Sequence, residues 1–352
     1  MKVPQKRHIS FAGCGFIGIY HVGVSACLQQ FSPHLLRQKI GGSSAGAMCA
    51  LALVSGDISL EEMTRNVLIL ALQASNRILG PFNPNFNLHQ MLVRYFEENL
   101  SENVAERVSG RLFVSLTKAR NKKNVLVSEF SSKRDLIDAV CSSSFIPVIS
   151  GWRPPTFRGQ AAFDGGYSDN IPTLGEFTLT VSPFAGDASI CPCDSRSSQQ
   201  TSLRVPHGTG GSVDISVENF SKLSKAIIPP DTSGMEALCC RGWNDAKKYL
   251  ISENMIRCKE CSGSQVSISV SEEECTKCTT LRNQARTNPL PQELLKVFEE
   301  IRELESQRSA NRIQAYIVSL SSCLCTLTFT LTRAIKFKGL RPTIESCPFV
   351  NF

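Results

Sequence analysis

The stretch on which the fold turns is Arg37-Gln38-Lys39-Ile40-Gly41-Gly42-Ser43-Ser44-Ala45-Gly46, continued by the apolar run Ala47 to Val54. Arg37 to Gly41 can form a strand, Gly42 to Gly46 are small residues suited to a sharp turn, and Ala47 to Val54 reads as a buried helix. Within it, Gly42-Ser43-Ser44-Ala45-Gly46 fits G-x-S-x-G, the elbow in which a strand turns abruptly into a helix with serine at its apex. A side chain at Gly42 or Gly46 would collide with neighbouring backbone in so tight a turn. The following helix points its N-terminal amides and positive dipole end at the Ser44 oxygen, favouring negative charge there. The pentapeptide also arises by chance in Gly/Ser-rich loops; its place between β-like and α-like segments makes Ser44 a nucleophile candidate, with Ser43 expected to be structural.

Upstream, His8 to Ala12 reads as a strand, Gly13 to Gly18 as a glycine-rich turn and Ile19 to Phe31 as a helix, so the chain opens as strand, loop, helix, strand, elbow, helix. Downstream, strands are expected at Leu112 to Thr117, Asn124 to Phe130 and Phe177 to Ser182, and helices at Arg134 to Ser143, Ser221 to Ile228 and Met235 to Leu250. This alternation predicts an α/β domain of three layers over residues 8–250. Residues 251–352 form a C-terminal region of different texture. It contains a Ser, Glu and Cys-rich stretch, an amphipathic helix from Gln292 to Arg308 with Leu294, Phe298, Ile301 and Leu304 on one face, and a weakly apolar end. Ile313 to Thr332 is uncharged over a spanning length but is loaded with Ser, Thr and Cys, so it makes a poor membrane helix.

The chain of 352 residues carries a formal charge of +7 from scattered basic residues, without a nucleic-acid module. Nucleic acid is therefore not an expected partner. No acidic residue precedes Asp57, so the region around the elbow carries only positive formal charge. The cysteine count of 15 is odd and the start lacks an apolar signal region, which together point to a reducing compartment, the cytosol or its membrane surfaces.

Gly13-Cys14-Gly15-Phe16-Ile17-Gly18 admits two readings. Its backbone N–H groups, at residues such as Gly15 and Phe16, can stabilise the oxyanion of acyl transfer. It is also G-x-G-x-x-G, which in a dinucleotide-binding fold is followed about 20 residues later by an acid that holds a ribose. Here that region reads Arg37-Gln38-Lys39-Ile40-Gly41-Gly42-Ser43-Ser44 and contains no acid, although Arg37 leaves a 2′-phosphate variant as the weaker alternative.

A base for Ser44 is less evident. His8, His21, His34 and His89 precede the other candidate motif, and His207 lies in a polar Pro/Gly stretch, so a triad through His207 is poorly supported. Asp164, in Phe163-Asp164-Gly165-Gly166-Tyr167-Ser168-Asp169-Asn170-Ile171-Pro172, stands at a turn that can bring its carboxylate to another backbone. An aspartate is a feeble base unless burial raises its pKa and a fixed hydrogen bond aligns it. A Ser44–Asp164 dyad therefore demands a desolvated pocket. In the tail, Cys258, Cys261, Cys275 and Cys278 form C-x2-C-x13-C-x2-C, suited either to a structural zinc or to four unpaired thiols in an insert.

Taken together, the sequence resembles the patatin-like phospholipase family, within it the adipose triglyceride lipase/adiponutrin subgroup. The resemblance rests on five segments in the expected order: residues 9–24 around the glycine loop, the elbow, Cys141 to Val148, Asp164 to Pro172 and Val181 to Pro192. It covers residues 8 to about 250. It implies a patatin-like α/β/α sandwich, Ser44 as nucleophile, Asp164 as its dyad partner, and an oxyanion hole from Gly13, Cys14, Gly15, Phe16, Ile17 and Gly18. It further implies hydrolysis of triacylglycerol at the lipid droplet surface or endoplasmic reticulum membrane, no catalytic cofactor, and regulation by a coactivator of the α/β-hydrolase type. Phospholipase or transacylase activity is the alternative, and a low-turnover regulatory protein of the lipid droplet is a further one.

Overall fold

In the computed structural model, residues 7–75, 79–83, 86–147, 149–193, 204–206, 208–214, 216–258, 261 and 275–308 are described. β1 (His8–Phe11) leads through the glycine loop into α1 (Ile19–Phe31), and β2 (Ile40–Gly42) turns directly into α2 (Ala45–Ser55). The expected second strand loses its first residues because Leu35–Arg37 wind into a 3-10 turn. Two helices that the sequence reading passed over follow, α3 (Leu60–Ser75) and α4 (Leu88–Asn99). Each carries a legible start signal. Ser59 and Glu62 exchange backbone and side-chain hydrogen bonds of 2.9 and 3.1 Å as a capping box, and the Asn87 side chain accepts from the Gln90 amide at 3.0 Å.

After α5 (Val104–Val108) come β3 (Leu112–Lys118), β4 (Asn124–Val127), α6 (Lys133–Ser143), β5 (Thr156–Phe157), β6 (Gln160–Asp164) and β7 (Thr178–Val181). β7, β1, β2 and β3 run parallel, while β4 and β6 lie antiparallel to β3. The opening strand–helix–strand–helix order is the one the sequence predicted, and helices with the mixed sheet between them give the expected three-layer α/β/α sandwich. β8 (Arg204–Pro206) and β9 (Ser212–Asp214) form a separate two-stranded ribbon. α7 (Val217–Ile227) begins earlier than expected because the Ser216 hydroxyl accepts from the Asn219 amide at 3.0 Å. α8 (Thr232–Ser252) packs along α1, where Gly23 and Gly242 let the backbones meet at Cys239 and Tyr20.

The pairing at β3 positions the site. β4 follows one edge of β3 along Val114 to Thr117. The opposite edge is shared in succession: Gly42 of β2 pairs with Val114, and Asp164 of β6 pairs with Leu116. When the chain leaves β3 at the elbow, β6 takes over the vacated edge. Backbone register thus delivers the end of β6 to the turn at Ser44.

The chain divides into two compact units, Met1–Ile301 and Arg302–Phe352. The first runs past residue 250, where the sequence reading ended the catalytic domain, because Leu290, Leu294, Phe298 and Ile301 are buried in its core. The helix over 292–308 is present, and Leu304, grouped with its apolar face, is 43% exposed. Ile313 to Thr332 lies outside the described residues. Among the described residues no helix is long and apolar enough to cross a membrane.

Candidate active site

Ser44 sits at the apex of the elbow with φ 50° and ψ −125°, a conformation costing about 1–3 kcal/mol for a residue with a side chain. The surroundings hold it there. A Cβ at Gly46 would strike the carbonyl oxygens of Phe11 and Ala12, and one at Gly42 would strike that of Phe11, so only glycine lets the turn press against the end of β1. The Ser44 amide donates to Ser143 Oγ at 2.9 Å, and Ser143 Oγ donates to the Ser115 carbonyl at 2.7 Å. Ser143 is a site residue that sequence reasoning missed; its only signal was its place in the segment Cys141 to Val148.

Asp164 ends β6 and is pinned from several directions. Its amide donates to the Phe145 carbonyl at 3.1 Å, its carbonyl accepts from Thr117 Oγ1 at 2.6 Å, and its carboxylate accepts from the Gly166 amide at 2.7 Å. Burial raises the carboxyl from its ordinary 3.8 to about 6, offset in part by hydrogen bonds from the Gly166 amide and the Ser44 hydroxyl. Ser44 and Asp164, far apart in sequence, are therefore brought together, and the raised pKa makes the Asp164 carboxylate a stronger base than a free one.

Asn170, within the same motif as Asp164, links the glycine loop to the elbow. Its Oδ1 accepts from the Gly13 amide at 2.8 Å and from Ser43 Oγ at 2.6 Å, and its Nδ2 donates to the Gly13 carbonyl at 3.0 Å. Ser43 is structural, as expected. The Gly13 amide is thereby engaged and is not the donor that an oxyanion needs. Cys14 Sγ lies 3.2 Å from His21 Nε2 and Ile17 is fully buried, whereas Gly15, Phe16 and Gly18 line the same cavity as Ser44. The first amides of a helix have no partner within it, which leaves Gly15 and Phe16, with Ala45 after the nucleophile, as the candidate oxyanion donors.

Among the described residues no histidine takes the base position. His21 is buried with its pKa lowered to about 4 by desolvation, and its Nε2 lies 2.8 Å from the Ala12 carbonyl. His34 is lowered likewise by burial, His89 stacks edge-on against Phe145, and His8 abuts Gly175 at the start of β1. His207 lies outside the described residues.

A cavity of about 120 Å3 opens at Ser44, with Met48 of α2, Met63 and Val67 of α3, Leu92 and Phe96 of α4, and Ile227 of α7 in its wall. The two helices that the sequence reading passed over thus supply much of the apolar wall. Ser44 lines this cavity and Asp164 does not. The four tail cysteines converge elsewhere: their sulfurs lie within 4.8 Å of one another and could hold a metal ion.

An elbow serine on a mixed α/β sheet, with a buried carboxyl at its shoulder and an apolar cavity before it, is an arrangement chemically able to carry out acyl transfer. Residues 9–175 match the patatin-like phospholipase family. The chain is 43% identical over 248 residues to patatin-like phospholipase domain-containing protein 2 of Mus musculus, covering 70% of this chain and 50% of that protein. It is 40% identical over 272 residues to a 1-acylglycerol-3-phosphate O-acyltransferase of Mus musculus (76% and 63% covered), and 34% identical over 251 residues to the omega-hydroxyceramide transacylase of that organism (70% and 41%). The chain belongs to the patatin-like phospholipase family, and it spans about half the length of most of the curated relatives it matches.

Proposed function

We propose that the chain is a serine acyl hydrolase that releases fatty acids from triacylglycerol at a lipid surface through Ser44 and Asp164. The observation that carries this reading is the buried Asp164 carboxyl, raised to about 6 by desolvation, beside the serine held at the apex of the elbow. Asp164 accepts the Ser44 proton as Oγ attacks the ester carbonyl, and the amides of Gly15, Phe16 and Ala45 receive the oxyanion. The ester C–O bond breaks, the departing alcohol takes the proton from Asp164, and an acyl-serine remains. Water then gives its proton to Asp164, attacks the acyl carbon and frees the fatty acid, after which Ser44 regains its proton. No step calls for a metal or organic cofactor; the four-cysteine cluster lies outside this chemistry and is read as a structural zinc site.

A lipid surface as the working location, that of a droplet or of the endoplasmic reticulum, is supported by α7. Val217, Phe220, Leu223 and Ile228 are 87%, 74%, 53% and 58% exposed at helical spacing, with Lys222 and Lys225 between them. The same helix lays its Ala226 carbonyl against Gly15 and contributes Ile227 to the cavity wall, so a lipid meeting α7 is next to Ser44. A second reading replaces water by a glycerolipid alcohol as acyl acceptor, making the chain a transacylase. The acyltransferase and transacylase relatives favour keeping it.

The test is fatty-acid release from emulsified triacylglycerol by wild type and Ser44→Ala, with phospholipid in parallel and an α/β-hydrolase-type coactivator added. Serine-dependent release from triacylglycerol supports the lipase, and preference for phospholipid moves the assignment to a phospholipase. Acyl transfer to mono- or diacylglycerol in place of release supports the transacylase. Release from no substrate favours a regulatory protein.

A further inference from the structure

We infer that Cys258, Cys261, Cys275 and Cys278 bind one zinc ion as tetrathiolate ligands, and that this ion clamps the segment after residue 275 to the end of α8. For Zn–S bonds of about 2.3 Å, a regular tetrahedron separates its sulfurs by about 3.8 Å. Cys258 and Cys275 Sγ lie 4.0 Å apart, Cys261 and Cys275 Sγ lie 3.6 Å apart, and all four sulfurs fall within 4.8 Å of one another. These separations bracket the tetrahedral edge and far exceed the roughly 2.05 Å of a disulfide. None of the four forms a disulfide. Backbone amides also face the sulfurs: that of Cys258 donates to Cys278 Sγ at 3.3 Å and that of Cys261 to Cys258 Sγ at 3.4 Å. Amide donors offset the charge of metal-bound thiolates, and the first of these bonds joins one C-x-x-C pair to the other.

The pairs come from segments already anchored. Ahead of Cys258, the Met255 carbonyl accepts from Ser32 Oγ at 2.8 Å and the Arg257 amide donates to the Phe31 carbonyl at 3.3 Å, which ties this segment to the end of α1. Cys278 lies in the helix Thr276–Thr287, which packs on α8 and ends where the Asn288 carbonyl accepts from Trp243 Nε1 at 3.2 Å and Lys247 Nζ at 2.8 Å. An ion joining these segments closes a loop in the unfolded chain and so stabilises the native docking. It also holds in place the buried residues Leu290, Leu294, Val297, Phe298 and Ile301 that complete the core.

The test uses the full chain, purified under reducing conditions without chelator. Elemental analysis is expected to find about one zinc per chain. A mercurial thiol reagent should release it to a metal-indicator dye, and cobalt substitution should give the intense visible bands of a tetrahedral thiolate site. Cys275→Ser with Cys278→Ser should lose the ion, lower the melting temperature by several degrees and raise hydrogen exchange over 276–301. Hydrolysis of a soluble short-chain ester at room temperature should stay within about twofold of wild type. Zinc well below one per chain in wild type, iron in its place, or zinc retained by the double variant would overturn the inference. Since metal content is read without any assay of ester cleavage, a failed hydrolase reading would leave this result standing.

Discussion

The elbow corner and the cysteine cluster both gather reactive side chains, by opposite means. Ser44 and Asp164 are distant in sequence and are fixed by strand register along one edge of β3, with Ser143 and Thr117 bonding their backbones in place. Cys258 to Cys278 are neighbours in sequence, and the cluster's own hydrogen bonds are contacts to sulfur. A site built from backbone register is preorganised without an added ion. A site built from clustered thiols gains its rigidity from the ion it binds.

The largest effects that sharpen this contrast fall at the dyad. Ser44→Ala and Asp164→Asn should each lower kcat/KM for ester hydrolysis by about 10^3-fold or more while leaving the circular dichroism spectrum intact. A His207→Ala variant that lost activity to the same degree would replace the dyad by a triad; turnover within about twofold of wild type is expected. The wild-type pH profile should rise with a single apparent pKa near 6, because Asp164 must be deprotonated to act and burial places its carboxyl there.

The same raised pKa bears on stability. The folded value of about 6 exceeds the ordinary 3.8, so the native state binds this proton more tightly than the unfolded chain. That contribution is complete below about pH 4 and is lost as pH rises through 6, at a cost of about 3 kcal/mol at neutral pH. Asp164→Asn should therefore be more stable than wild type at pH 8, by about 1–3 kcal/mol in denaturant melts, with the advantage shrinking towards pH 4. A variant less stable than wild type at pH 8 would show that the carboxylate is held by more than desolvation.

Asn170→Ala should follow in size. It strips the partner from the Gly13 amide, costing about 1–3 kcal/mol for the group left unpaired, leaves the Ser43 hydroxyl only the residue-170 carbonyl at 3.0 Å, and should lower kcat more than it raises KM. Smallest is Phe220→Ser on α7. It should reduce release from emulsified lipid several-fold and leave hydrolysis of a soluble ester unchanged, since Phe220 is exposed and remote from the dyad's hydrogen bonds. Equal loss on both substrates would give α7 a role in the cavity instead of at the surface.

The two sites also differ in how far the sequence disclosed them. The cysteine spacing was readable locally, because four ligands in two C-x-x-C pairs need little knowledge of the fold. The elbow was readable too, since its pattern lies within five residues, although the backbone its glycines clear is that of β1. Asp164 emerged only through the motif around it, because its placement depends on β6 replacing β2 along β3, a long-range pairing that local pattern does not encode. Asn170 and Ser143 went unseen as site residues for the same reason: their partners lie across the sheet. α3 and α4 were missed despite the Ser59–Glu62 capping box, and with them went the apolar wall facing Ser44. The glycine loop was read too generously, since the Gly13 amide is already bonded to Asn170.

The most direct test of the central claim is intact-mass and peptide mass spectrometry after exposing the folded chain to a long-chain fluorophosphonate at neutral pH. The account predicts one adduct per chain on Ser44, none in Ser44→Ala, and formation slowed by orders of magnitude in Asp164→Asn. An adduct on another residue, or labelling of Ser44 at an unchanged rate in Asp164→Asn, would contradict it.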